Sequence, residues 1–287
     1  MRPSPSAAVL SVLLLGGVLG CAPVEDEEPA SSAPAADACA KDELPLLTPG
    51  TLTVGTDSPA FEPWFTNNDP TTGQGFESAV AYAVAEELGF GQDQVTWVTV
   101  PFNSSYKPGA KDFDFDINQI SITPERAEVV DFSDGYYQAA QAVLALKDTP
   151  GAEAKSLAEL KGLRLGAQTG TTSLTAIRDV IAPDADPLVF EDTNAAKQAL
   201  QNDQVDAILA DLPSAFYISA VEIPKSTIVG QFQPETGRQE EFGMLFEKGS
   251  ELVGCVNDAL AALEDDGTLA DLEKRWLSDA VSVPELQ

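Results

Sequence analysis

Four short polar stretches carry residue types that can grip a small charged molecule. Thr56-Asp57-Ser58 follows the run Leu52-Thr53-Val54-Gly55. Ser121-Ile122-Thr123-Pro124-Glu125-Arg126 follows Asp114 to Ile120, Gln168-Thr169-Gly170-Thr171-Thr172 follows Leu163 to Ala167, and Asp211 follows Ala207 to Ala210. Glycine lets backbone come close to a ligand, and a helix N-terminus offers free N–H groups to an anion. Gly170, Thr171 and Thr172 therefore suit an anion, although a plain capped turn accounts for the same residues. Arg126 suits a carboxylate through its planar fork, or a surface pairing with Glu125 or Glu128. Asp211 suits an ammonium, or the N-cap of a following helix. An anion clamp and a cation acceptor together describe a site for a zwitterion, but spacing does not show that they meet.

Other chemistry is excluded by composition. The 287 residues contain no histidine, which removes Ser-His-Asp triads, Cys-His dyads and His-ligated metal sites. The cysteines, at 21, 39 and 255, cannot form a zinc ribbon or a CxxC pair. Asp112, Asp114 and Asp116 mimic the start of a calcium loop, but Ile117 and Thr123 stand where it needs glycine and glutamate. No metal or cofactor is expected. With 46 acids against 16 bases the net charge is −30, which disfavours nucleic acid and polybasic attachment to anionic lipid.

The elements that must position these stretches follow from periodicity. Val80, Val84 and Leu88 stripe a helix over 76–88, and Leu252, Val256, Leu260 and Leu263 stripe another. Strands are expected at 52–55, 95–100, 114–120, 142–146, 163–167, 188–190, 207–210 and 243–246, with helices at 173–181, 194–202 and 213–221 between the later ones. Thr123 reads as an N-cap with Pro124 at the first helical position, and Ser156 with Glu159 as a capping box. Strands alternating with helices imply α/β layers in two units, consistent with a length of about two domains. Ligands of open α/β sheets bind beyond the carboxyl ends of strands, where all four stretches fall. Phe61, Trp64 and Phe102 are apolar residues in loop contexts, suited to lining a pocket or packing a core.

The start of the chain reads as an export signal over 1–20, with Arg2, an apolar run from Ala7 to Leu19, and Val18-Leu19-Gly20-Cys21, which resembles a bacterial lipobox. Cys21 is the expected lipidation site. Residues 21–44 have almost no large apolar side chain and read as a flexible lipid-anchored tether, with order beginning near Leu46. Export permits disulfides, and Cys39 with Cys255 remain as an even pair.

Ser121-Ile122-Thr123-Pro124-Glu125-Arg126, then Val130-Asp131-Phe132-Ser133 and Tyr136-Tyr137, strongly resemble the signature of the bacterial extracellular solute-binding proteins for amino acids, family 3. Weaker matches run from Val54-Gly55-Thr56-Asp57 to Lys274-Arg275-Trp276. The resemblance implies a type II periplasmic-binding-protein-like α/β fold of two lobes. Lobe 1 would be 45–138 plus 246–287, lobe 2 would be 146–238, and hinge strands would lie at 139–145 and 239–245. It implies that Arg126 and Ser121 hold a ligand α-carboxylate with Gly170, Thr171 and Thr172, that Asp211 holds the α-amino group, and that Phe61 stacks on the side chain. Asp57, Phe102 and Asn118 complete the expected site. Glu77, Asn118, Gln119 and Gly135 depart from the family pattern. The implied function is amino-acid binding for an ABC importer, with a membrane permease as partner, in the periplasm or on the outer face of the cell membrane. The protein is expected to be a monomer and not an enzyme. The alternatives are a cyclohexadienyl-dehydratase-like enzyme and a ligand-sensing accessory protein. Asp57, Glu62, Asn118 and Gln119 favour a polar or cationic ligand side chain.

Overall fold

The computed structural model describes residues 39–233, 239–277 and 283–287. The expected signal, the lipidation site Cys21 and the tether as far as residue 38 lie outside the described residues.

Two five-stranded sheets repeat one layout. The first comprises β1 (Leu52–Thr56), β2 (Val95–Thr99), β3 (Phe115–Asp116), β4 (Val130–Ala139) and β10 (Glu240–Glu247), in the order β2-β1-β3-β10-β4. β1 pairs in parallel with β2 and β3, and β10 runs antiparallel to β3 and β4. The second comprises β5 (Gln141–Leu146), β6 (Leu165–Gln168), β7 (Leu188–Phe190), β8 (Ala207–Asp211) and β9 (Ser226–Phe232), in the order β7-β6-β8-β5-β9. Here β6 is parallel to β7 and β8, while β5 is antiparallel to β8 and β9. The chain changes sheets between β4 and β5, with only Ala140 between them, and again between β9 and β10.

Helices cover the sheets because their apolar stripes have no other place to go. In α1 (Phe76–Glu87) Val80 and Val84 are buried, and α9 (Leu252–Asp265) buries Leu252, Val256, Leu260 and Leu263 against the same core. The short helix α3 (Pro124–Ala127) begins as expected: Thr123 accepts from the Arg126 backbone N–H, and Pro124 occupies the first turn. Ser156 likewise caps α5 (Leu157–Leu160) by accepting from the Glu159 N–H.

Several boundaries differ from the sequence reading. The strand expected over 114–120 shrinks to Phe115–Asp116, because Gln119 takes a left-handed φ of 47° and ends the extended run. The helix expected over 173–181 is α6 (Thr172–Ala176) followed by a wider turn, Ile177–Ile181, ended by Ala182 at φ 48°. That over 213–221 divides similarly into α8 (Leu212–Tyr217) and the turn Ile218–Glu222.

The reading of 21–44 as tether is corrected at its end. Cys39 is disulfide-bonded to Cys255 on α9, Lys41 Nζ donates to Gly89 O at 2.8 Å, and Leu44 is buried. A covalent tie and apolar burial offset the ordering cost of a segment that composition alone leaves mobile. The assignment of all of 246–287 to the first lobe is corrected too. After α10 (Thr268–Leu277), the last residues pair with β9, where Gln231 N–H donates to Pro284 O and Leu286 N–H to Gln231 O. Leu286 joins the core of the second sheet.

Candidate functional site

Eight of the ten candidate ligand residues line one cavity between the two sheets: Asp57, Phe61, Phe102, Asn118, Ser121, Thr171, Thr172 and Asp211. Asp57, Ser121, Thr171, Thr172 and Asp211 come from the strand-end stretches that the sequence indicated. Asp57 follows β1, and its carboxylate accepts from the N–H groups of Ser58 (2.7 Å) and Phe102 (3.1 Å). Burial raises its pKa, and those two hydrogen bonds oppose the rise. Phe102 opens α2 (Phe102–Ser105). Trp64 has the core fate instead: it is fully buried, edge-on to Phe76, Tyr137 and Phe242, and its indole donates to Ser214 Oγ on α8 at 2.8 Å.

Arg126 and Gly170 lie in an adjoining cavity that shares Ser121, Thr171 and Thr172 with the first. The guanidinium is stacked near Tyr106 (4.9 Å) and Phe102 (5.5 Å), and donates to Ser121 O (2.7 Å) and Gly170 O (2.9 Å). It pairs across the two sheets, not with Glu125 or Glu128. Burial lowers its pKa, with Tyr106, Glu240 and Asp211 opposing. Gly170 has φ 75°, and a Cβ there would collide with Asn103 and Tyr106 from the first-sheet side. Glycine is what lets this turn approach so closely. Thr171 caps α6 by accepting from the Leu174 N–H, so the capped-turn explanation and the cleft position both hold for it.

Asp211 makes no cap hydrogen bond to α8. Its carboxylate accepts from Gln141 Nε2 at 3.0 Å, and the same amide donates to Glu240 at 2.8 Å. Glu240 also accepts from Ser121 Oγ at 2.6 Å, and Ser121 Oγ lies 3.3 Å from Thr172 Oγ1. One neutral amide thus sits between two acids. Burial raises Asp211 well above the usual carboxylate range, and the neighbouring Glu240 adds to the rise. Among the described residues no ion pair involves Asp211.

Two further groups border this site. Lys197, on α7 (Thr193–Gln201), lines the main cavity with Glu62 and Glu222, donates to both Glu222 oxygens at 2.7 and 2.8 Å, and lies 5.3 Å from the centre of the Phe61 ring. Behind the first-sheet residues, the fully buried Glu77 accepts from Tyr136 Oη (2.5 Å), from Gln119 N–H (2.6 Å) and from the Gln119 side chain. Burial raises it to about 7. Asp116 is fully buried with no hydrogen bond to either carboxylate oxygen, and burial followed by Glu77 raises it well above the usual range. Phe113, Asp114, Phe115 and Asp116 are all buried, and Asp114 accepts from the N–H groups of Leu47 and Thr53.

Sequence reasoning missed Gln141, Glu240, Lys197 and Glu222. Gln141 and Glu240 open strands beside apolar runs, and only the register that places both next to Asp211 gives them meaning. Lys197 is one turn into an amphipathic helix, a place where lysine carries no signal.

A family model for bacterial extracellular solute-binding proteins, family 3, matches residues 52–279. The chain is 30% identical over 281 residues to the L-cystine-binding protein TcyA of Bacillus subtilis (strain 168), covering 96% of this chain and 97% of that one. It is 31% identical over 217 residues to the ABC transporter glutamine-binding protein GlnH of the same organism, covering 74% of this chain and 76% of that one. Among solved structures it is similar to the arginine-, lysine-, histidine-binding protein ArtJ of Geobacillus stearothermophilus. That likeness has a TM-score of 0.67 at 28% identity, over 79% of this chain and 95% of that one.

Proposed function

The chain belongs to the bacterial extracellular solute-binding proteins, family 3, and on that premise we propose that it binds an amino acid between its two sheets and delivers it to a membrane permease of an ABC importer. It acts as a binding protein, not an enzyme. It is exported as a monomer and held at the periplasmic or outer face of the membrane by a lipid on Cys21. The relatives named for cystine, glutamine and arginine, lysine or histidine support a polar or cationic ligand.

The observation that carries this reading is Asp211. A desolvated carboxylate at a cleft wall, hydrogen-bonded by a neutral amide and attracted by Arg126 without an ion pair, costs stability until a cation arrives. A ligand ammonium supplies that cation. Arg126, whose Nη2 now donates to Gly170 O, takes the carboxylate together with Ser121 and Thr172. Asp57, Phe61, Phe102 and Asn118 surround the side chain. The two crossings, β4 to β5 and β9 to β10, act as the hinge, and the Arg126–Gly170 and Trp64–Ser214 hydrogen bonds belong to the closed form. Contacts that exist only when closed are what let a ligand shift the equilibrium.

Calorimetry with the twenty amino acids and cystine tests the reading. At least one should bind. Asp211→Asn should lose about 2–5 kcal/mol of binding, the range for removing one partner of a buried charge pair. Its unliganded melting temperature should hold or rise, because the lost carboxylate was a desolvation cost. Wild-type affinity in Asp211→Asn, or no binding by any of these compounds, sinks the proposal.

A further inference from the structure

The cavity is lined by a second set of charged groups that a simple amino-acid side chain does not need. Lys197 is the one cation among the described residues lining it, and it is almost fully buried. The face of α7 that carries it is otherwise built from Ala196, Ala199 and Leu200, so packing alone does not call for a lysine. Taking an ammonium out of water costs several kcal/mol unless it is well paired. Glu222 uses two of its three donors. The third remains for a ligand acceptor. Asp57, Glu62 and Glu222 line the same cavity and outnumber its one cation. The lining therefore offers a carboxylate a cation and an ammonium an acid, with the centre of the Phe61 ring 5.3 Å from the Lys197 ammonium. This repeats in kind what Arg126 and Asp211 offer, and Lys197 and Glu222 share no hydrogen bond with that first pair.

We infer that Lys197 is a specificity-determining residue for a ligand with two amino-acid heads: an α-amino acid whose side chain itself ends in an ammonium and a carboxylate. The inference rests on the proposed amino-acid binding and narrows its substrate class. An arginine or lysine ligand would bring its cation toward Lys197 and gain less from the acids. A glutamate ligand would use Lys197 but leave Asp57 and Glu62 unmatched.

The competing account is structural: the Lys197–Glu222 pair merely staples α7 to the turn Ile218–Glu222. Calorimetry under non-reducing conditions separates the two. The probes are L-cystine, meso-diaminopimelate, L-arginine and L-glutamine, tested against the wild type, Lys197→Met and Lys197→Arg, with the unliganded melting temperature of each. A two-headed probe should bind the wild type at least about tenfold more tightly than arginine or glutamine. Lys197→Met should weaken it by roughly thirtyfold, the lower end for loss of one partner of a buried charge pair. Arginine affinity should stay the same or rise in Lys197→Met, and Lys197→Arg should restore much of the two-headed binding. If arginine or glutamine binds the wild type as tightly as both two-headed probes, or Lys197→Met weakens every probe equally, the inference falls and amino-acid binding stands. If no probe and no other amino acid binds, amino-acid binding itself falls, and this inference with it.

Discussion

Aromatic rings pack the first sheet against its helices, whereas aliphatic side chains pack the second. Trp64, Phe65, Phe76, Phe115, Phe242 and Phe246 are all fully buried in the first core. The second sheet is covered on its two faces by residues such as Val143, Leu160, Ile177 and Leu209, and Leu144, Leu200 and Ile208. Buried charge divides in the same way. The first side holds Glu77, Asp114, Asp116, Arg126 and Glu240, and the second holds Lys197. With one strand layout in both, the difference lies in side chains and not in topology. The aromatic side carries the cost of buried polar groups and fixes the cleft floor. The aliphatic side supplies a backbone turn, Asp211 and the Lys197–Glu222 pair. Substitutions on the two sides should therefore separate stability from ligand affinity.

The largest stability effect should come from Trp64→Ala. It removes a ring in contact with three other rings, and its indole donor to Ser214. A cost of about 3–5 kcal/mol is expected, as for other large aromatic truncations. Urea denaturation reads it directly. A loss below about 1 kcal/mol would show that the aromatic cluster does not dominate the first core.

Glu77 sharpens the same comparison through pH. Burial raises its carboxyl from 4.5 to about 7 in the folded chain. Below 4.5 both folded and unfolded forms are protonated. Between 4.5 and 7 the unfolded chain ionises first, so stability falls as pH rises, and above 7 the loss is constant. The total is about 3 kcal/mol. Glu77→Gln should lessen this slope, with Asp116 and Asp211 keeping part of it, when stability is measured by urea between pH 4.5 and 7.5. An unchanged slope would mean that Glu77 is ionised throughout, with its bonds from Tyr136 and Gln119 outweighing burial.

These residues also mark how far the sequence could be read. Local signals were strong enough for the α/β alternation, the Thr123-Pro124 and Ser156 caps, the Cys39–Cys255 pair and the strand-end stretches that meet in the cleft. Those features depend on a few neighbouring residues or on parity. What stayed hidden depends on register and on long-range approach. Glu240 and Gln141 reach Asp211 only because β5 aligns Gln141 with Asp211 and β10 follows the second crossing. The return of Leu286 to β9 has no periodicity to announce it. The sequence singled out Arg126, but not its place as a group donating to Gly170 O across the cleft.

Gly170 tests that crossing point from the second side. An alanine there would sit at φ 75°, which costs about 1–2 kcal/mol for a side chain in the left-handed region. It would also press on Asn103 and Tyr106, a contact made across the two sheets. Ligand affinity in Gly170→Ala should fall by more than unliganded stability does. Equal losses in calorimetry and in urea would mean that the turn is strained alike with and without closure.

The smallest effects, at two helix caps, divide the two sides most cleanly. Ser156 Oγ accepts from the Glu159 N–H at 3.4 Å, on a helix of the second side remote from the cleft lining. Thr123 Oγ1 accepts from the Arg126 N–H at 3.3 Å, so it fixes the first turn of the helix that carries the guanidinium. Loss of either cap should cost about 1 kcal/mol of stability. Ser156→Ala should stop there, leaving ligand affinity unchanged. Thr123→Ala should also weaken binding several-fold, because a frayed α3 lets Arg126 leave Ser121 O and Gly170 O. Calorimetry on both variants, beside urea curves, decides it. If both lose affinity equally, or neither does, the cap at Thr123 does not position the arginine and the two sides are less distinct than their cores suggest.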